Sequence, residues 1–228
     1  PFTLPGCGPE EDLFSDFTMS PADMQFEVVD LPQDRWDIYL DMISSHSNMT
    51  SIPGRCLRLA ILEKKSGKWC GFIRLGSPVI NCKPRNQMLG QVFTQQPEWG
   101  KRFNNSAMMG FVIVPAQPFG YNYLGGKLMA AICNSHAVRR MLDKKYDTEF
   151  CLFETTSLYG NLKGASMYDG MRPYLRYKGD TQSKFLLTLG EEIYFEMRDW
   201  FTEKNGGEDL IHKGASSRKL KMQTKMLG

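Results

Sequence analysis

The sequence predicts an α/β (α+β) fold: one mixed central sheet flanked by helices, in a single domain with N- and C-terminal extensions. Three observations carry that expectation. The chain has 228 residues and 26.0 kDa, enough for one sizeable core. Short runs rich in aliphatic and aromatic residues alternate with segments of helical periodicity. Gly, Pro and polar clusters punctuate the runs where reversals are needed, and no repeat or low-complexity block interrupts them.

Residues 1–22 are Pro- and Gly-punctuated and acidic, and are expected to form an irregular arm. Met24 to Leu31 reads as a strand, and Asp34 to Ser44 places Trp36, Tyr39, Leu40 and Ile43 on one helical face. A polar connection containing His46 follows. Cys56–Glu63 and Lys68–Leu75 read as a hairpin, with Lys64-Lys65-Ser66-Gly67 as its turn. Residues 78–105 are expected to be a long irregular loop. Basic Lys83, Arg85, Lys101 and Arg102 are interleaved there with Phe93, Trp99 and Phe103, a mixture suited to phosphates and to a displaced base.

Ala107–Pro115 has the composition of a buried strand, and a long helix is predicted from about Tyr123 to Leu142. Glu149–Glu154 is a short apolar strand that stops abruptly in Thr155, Thr156, Ser157, Tyr159, Asn161 and Lys163. A buried strand opening into a polar loop is where α/β enzymes often carry working residues. A possible strand at Tyr174–Tyr177, a strand at Ser183–Leu189 and an amphipathic helix at Glu191–Lys204 complete the pattern. The domain is expected to span 23–204, with 205–228 as a tail.

Composition narrows the classes of function. No apolar run reaches the length of a bilayer span, and the N-terminus lacks a basic stretch followed by an apolar one, so no membrane segment or signal peptide is expected. The six cysteines form no C-x-x-C pair and read as reduced thiols of a cytoplasmic protein, with Cys133 and Cys151 as small core residues. The three histidines have no two-ligand spacing, so no metal site is expected; His46 is a secondary candidate for a base or a lone ligand. The net charge is +3, and its distribution is uneven: the first sixteen residues carry only acids, while Ile211–Gly228 carries Lys213, Arg218, Lys219, Lys221 and Lys225. Such a tail could follow a phosphate backbone.

Several motifs resemble the DruA-like family, proteins of phage-defence loci and mobile elements. Glu154-Thr155, then Gly164-Ala-Ser166-Met-Tyr168, then Gly179-Asp-Thr181 match its Glu-Thr, Gly-Thr/Ser-x-Tyr and Gly-x-Thr patterns. Upstream, Gly54-Arg55-Cys56-Leu57, Gly71 to Pro78, Arg85-Asn86, Gly90, Asn104-Asn105 and Val114-Pro115 follow in the family's order. Where the family has Tyr-x-Ala-Ala-Asn-Trp, this chain reads Tyr168-Asp-Gly-Met-Arg-Pro.

The element order also resembles the GNAT acyltransferases, whose central strand leads through a glycine loop into a helix aimed at a pyrophosphate. Val112 to Pro115, Gln117, Gly120, Tyr121, Gly125 and Gly126 stand where that loop would be, and acyl-CoA is the cofactor it would imply. Phe119, Tyr121 and Tyr123 are bulky for it, and the cofactor is left open. A weaker architectural resemblance is to phage Mom and to amino-acid:DNA transferases.

Together these readings give a phage-type transferase that adds a small acyl or amino-acid group from a small-molecule donor to a base of DNA, single-stranded, flipped or mononucleotide. The candidate catalytic residues are Glu154 as general base, Tyr168 beside it, Ser166, Asn105 and Thr155. Arg85, Lys83, Arg102, Ser77, Tyr159, Lys163 and Thr181 are the candidate DNA or substrate contacts. The alternatives are a DNA-binding protein of defence or mobile elements without group transfer, and a small-molecule N-acyltransferase.

Overall fold

The computed structural model describes residues 9–43, 54–90, 97–157, 165–181, 189–215 and 218–227. The chain divides into two compact units, Pro1–Thr181 and Gln182–Gly228.

The first unit is a mixed α/β structure built on a five-stranded sheet of order β1-β2-β3-β4-β5. Its strands are β1 Phe26–Asp30, β2 Cys56–Glu63, β3 Lys68–Gly76, β4 Ala107–Pro115 and β5 Leu152–Thr155. The first four are antiparallel neighbours and only β4–β5 is parallel, the mixed sheet that the element order implied. Helix α1, Gln33–Ile43, covers one face by placing Trp36, Tyr39 and Leu40 on Ala60, Phe72 and Val112. On the other face Phe119 of the short helix α4, Phe119–Asn122, Met129 and Ala130 of α5, Gly125–Cys133, and Val138 and Leu142 of α6, His136–Tyr146, pack with Leu59, Ile61, Ile73 and Met108. Gly71 of β3 is required there, because a Cβ would lie 2.5 Å from the Met129 sulfur.

The predicted single helix from 123 to 142 is therefore two, broken at Asn134 and Ser135. The Ser135 hydroxyl accepts from the Val138 amide at 3.3 Å and starts α6 as an N-cap, the role serine fills best. The expected loop 78–105 contains α2, Lys83–Leu89, and α3, Pro97–Ser106. Prolines at 84 and 97 read as loop signals, yet they occupy first-turn positions, where proline costs no hydrogen bond. The expected strand at 174–177 is instead irregular backbone that follows a turn at 172–174 and is hydrogen-bonded to Met171, and Ser183–Leu189 falls largely outside the described residues.

The acidic arm carries two short 3-10 turns, Pro9–Asp12 and Pro21–Asp23, and is packed onto the sheet unit. Phe14 is buried against Phe119 and Tyr123, its amide donates to Trp69 O at 2.9 Å, and Tyr39 Oη donates to Asp12 at 2.6 Å. At the β2–β3 turn Glu63 is 0% exposed, and its carboxylate accepts from the amides of Gln25, Lys65 and Ser66 and from the Ser66 hydroxyl. The described cysteines are free; Cys133 is buried as expected, but Cys151 is exposed at the start of β5.

In the second unit, α7, Glu191–Lys204, and α8, Arg218–Leu227, form a core from Tyr194, Met222 and Met226. The expected basic tail is thus in part a folded helix, with Lys219 5.1 Å from the Tyr194 ring centroid. Sequence charge hid the apolar spacing of Met222 and Met226. No helix among the described residues is long and apolar enough to cross a membrane.

Candidate functional site

Glu154 sits near the end of β5, where the parallel pairing with β4 stops at Gly110↔Thr155. Side chains alternate along a strand, so consecutive residues of β5 serve opposite faces of the sheet. Leu152 packs with Phe103 of α3 and Ala107, whereas Phe153 packs into the cluster of Met108, Cys133 and Phe150. Glu154 accordingly shares the α2/α3 face with Leu152, and Thr155 shares the α5/α6 face with Phe153.

On the first face Glu154 meets Arg85. Arg85 Nη1 donates to Glu154 Oε1 at 2.7 Å, between side chains only 5% and 14% exposed. The guanidinium is fixed on its remaining sides: Nε donates to Asn86 Oδ1 at 2.6 Å, Nη2 donates to the Val79 and Ile80 carbonyls, and the Phe103 ring centroid lies 4.2 Å away. Glu154 Oε2 is buried and has no hydrogen-bond partner among the described residues. Burial pushes the Glu154 pKa up, and the Arg85 charge and hydrogen bond pull it back without cancelling the rise. The result is a carboxylate with one oxygen locked and the other open to a donor.

Tyr168 lies on the opposite face, packed on the cluster that holds Cys133 and Met171. Its pKa is raised by burial, with the Thr155 hydroxyl acting against the rise. Thr155 also donates from Oγ1 to Gly110 O at 3.0 Å. The expected juxtaposition of Tyr168 with Glu154 is therefore corrected: strand alternation separates them, and no described hydrogen bond joins them. Ser166 shapes the turn before Tyr168; its Oγ accepts from the Tyr168 amide at 3.1 Å and its own amide donates to Asp169 Oδ2.

Asn105 and Ser77 belong to a second centre, organised by Arg55. Arg55 Nη2 donates to Asn105 Oδ1 at 2.6 Å and Nη1 to the Asn104 carbonyl, while the guanidinium lies 5.8 Å and 5.6 Å from the Tyr146 and Phe150 ring centroids. The Arg55 amide donates to Ser77 Oγ at 3.0 Å, and Gly54 adopts φ +94° where a Cβ would stand 2.7 Å from that oxygen. Ser77 and Asn105 are both hydrogen-bonded to Arg55, and no described hydrogen bond links either to Glu154. Arg55 is the residue that the sequence argument missed as an organiser, and Gly54-Arg55 beside Gly76-Ser77 was its only signal.

Of the remaining candidates, Lys83 is exposed at the start of α2 and Arg102 is exposed on α3, 5.4 Å from the centroid of the exposed Trp99 ring. Thr181 is exposed at the end of the first unit. Tyr159, Lys163 and His46 lie outside the described residues. In the loop that resembled a coenzyme-A cradle, a Cβ on Gly120 would stand 2.6 Å from Pro115 and one on Gly125 2.7 Å from Phe119, so both glycines serve close packing. Gly126 has open space around its Cβ position, and Tyr121 is 84% exposed. No group of acidic, His and Cys side chains suited to a metal occurs among the described residues.

The family model described as DruA, Druantia protein DruA, matches residues 14–188, which take in both arginine centres. Druantia protein DruA of Escherichia coli (strain UMEA 4076-1) is 24% identical over 169 residues, 66% of this chain and 39% of the relative. The chain thus spans well under half the length of the curated relative it matches. The scattered motifs come together in the fold: Gly54-Arg55, Gly76-Ser77 and Asn104-Asn105 meet at Arg55, and Arg85-Asn86 and Glu154-Thr155 meet through Arg85 and Glu154.

Proposed function

We propose, from the premise that this chain belongs to the DruA family, that it acts on nucleic acid and that Glu154 is the proton acceptor for a group transfer onto a base. The observation that carries this reading is the open, buried Oε2 of a carboxylate whose other oxygen Arg85 fixes. A buried acceptor without a partner costs free energy, typically about 1–3 kcal/mol, and a ligand that donates to it recovers that cost. An exocyclic amino group of a base is such a donor. As the nitrogen bonds to the incoming group, the bond between that group and its small-molecule donor breaks and the donor departs with the electron pair, while the nitrogen's N–H breaks and Oε2 takes the proton. The upward-shifted pKa favours a carboxyl that can hold that proton. Arg85 fixes the direction of attack and balances the charge of the resting site.

The target base must leave the duplex stack to reach a carboxylate of this depth. Exposed Lys83 and the Arg102–Trp99 pair on α2 and α3 supply phosphate and stacking contacts around it. The association of DruA-like proteins with phage defence makes DNA the substrate to test first.

Intact-nucleoside mass spectrometry of DNA from cells expressing this chain, beside Glu154→Gln, tests the proposal. A new nucleoside mass with the wild type that disappears in Glu154→Gln is the expected result; identical nucleosides in both overturn group transfer. A second reading, recognition of a base without transfer, is favoured by how completely Arg85 immobilises the acceptor. It predicts unchanged nucleosides but DNA binding weakened by Glu154→Gln.

A further inference from the structure

We propose that the outward side of Arg172–Lys178 is a binding strip for single-stranded nucleic acid, in which Tyr174 and Tyr177 stack on bases while Arg172, Arg176 and Lys178 meet phosphates. The proposal names the nucleic-acid form that reaches Glu154, and in that respect it rests on the reading above.

The segment separates its anchors from its exposed groups. Met171 is buried and Leu175 packs partly into the same cluster. The Tyr174 and Leu175 amides donate to Met171 O at 2.8 and 3.1 Å, so the segment is hydrogen-bonded to its own anchor. Everything else points away from the core. Tyr174 is 65% and Tyr177 68% exposed, and Arg172, Arg176 and Lys178 are exposed around them.

An exposed tyrosine gains nothing from the protein for leaving its ring in water, and two such rings three residues apart need a separate account. Cations flanking exposed rings form a surface that accepts phosphates and unpaired bases together, whereas a duplex offers phosphates but hides its base faces. Tyr177 is also oriented: its hydroxyl donates to Asp180 Oδ1 at 2.8 Å, which fixes one end of the ring and engages one oxygen of the only carboxylate between 171 and 181. The strip carries three cations against that one acid.

Its position ties it to the site. Gly179, at φ +130°, passes so close to α2 that a Cβ there would lie 3.2 Å from Pro84. Pro84 separates exposed Lys83 from buried Arg85, the partner of Glu154. The strip therefore ends beside the helix turn that holds the candidate catalytic carboxylate, and a strand lying along it is delivered to that face of the sheet.

The test is fluorescence anisotropy of labelled oligothymidine and oligouridine of about 20 nucleotides and of a duplex of equal length, titrated with the full chain across a salt series. Tighter binding of the single strands than of the duplex is expected. Relative affinity of the thymidine and uridine strands distinguishes DNA from RNA as the source. Tyr174→Ala with Tyr177→Ala is expected to weaken single-strand binding about tenfold or more, with Tyr174→Phe and Tyr177→Phe retaining it. Arg172→Ala, Arg176→Ala and Lys178→Ala together are expected to lower the salt slope by about two. Duplex binding equal to that of single strands, or affinity unchanged by the tyrosine-to-alanine pair, overturns the proposal. Loss of nucleoside modification in Glu154→Gln alongside unchanged binding in the tyrosine variants would remove the strip and keep the transfer reading. Binding lost in the tyrosine variants, with no modified nucleoside in any sample, would keep the strip and remove the transfer reading.

Discussion

Glu63 and Glu154 each sit at the end of a strand and out of bulk water, and they are satisfied in opposite ways. Glu63 closes the β2–β3 turn: burial pushes its pKa up, but the donors of Ser66, Lys65 and Gln25 outweigh that and hold the carboxyl below its ordinary value. Glu154 has one strong partner and one open oxygen, and burial leaves its pKa above the ordinary value. Hydrogen bonds from the surrounding backbone make a carboxylate part of the frame. A single guanidinium, with the second oxygen left unmatched, leaves it available to a ligand. Burial alone would have put both residues in the same class.

The sharpest way to break this contrast is to remove Arg85. Arg85→Met leaves a buried carboxylate without its counter-charge and is expected to cost about 3–5 kcal/mol in urea unfolding, whereas Arg85→Met with Glu154→Met should recover most of the loss. Equal destabilisation in the single and double variants would show that Arg85 works through Val79, Ile80 and Asn86 instead. Glu63→Ala should cost less, about 1–3 kcal/mol, because the amides it leaves are near a turn that water can reach. Thermal or urea unfolding of the hairpin variant measures this directly.

Glu154→Gln should cost less than Arg85→Met, about 1–3 kcal/mol, since the glutamine oxygen still accepts from Arg85 while the buried guanidinium loses its counter-charge. A loss as large as that of Arg85→Met would make the Glu154 charge part of the frame. The subtlest difference is in pH dependence, where the two signs oppose. The folded-state pKa of Glu154 lies above its unfolded value, so the folded state binds the extra proton. Its contribution is present below the unfolded value and is lost as pH rises through the folded one. Glu63 is depressed, so its contribution is present above the unfolded value and is lost as pH falls through the folded one. Urea midpoints followed across the acid range should lose the first decline in Glu154→Gln and the second in Glu63→Gln. Parallel profiles for the two variants would erase the distinction.

Local chemistry was legible before any coordinates. The β2–β3 hairpin, β4, α1 and α7 follow from apolar periodicity and from the Ser66-Gly67 turn, since each is decided within a dozen residues. Glu154 could be singled out because an apolar strand ends around it, and the order of the motifs pointed to the DruA-like family. The Asn134–Ser135 break carries a serine N-cap, but the apolar residues on both sides of it continue one helical pattern. The folded tail was masked by its lysines.

Tertiary structure alone decided the pairing of Arg85 with Glu154, which are 69 residues apart, and that of Arg55 with Asn105, which are 50 apart. No local propensity encodes either distance. It alone also placed Tyr168 across the sheet from Glu154, because proximity in sequence says nothing about which face of a strand the returning chain will cover. The sequence itself determined the elements and supplied the charged and polar groups, since those depend on side-chain pattern over short spans. Which groups meet, and which oxygen is left open, depended on how the sheet brings distant segments together, where burial removes water as the alternative partner.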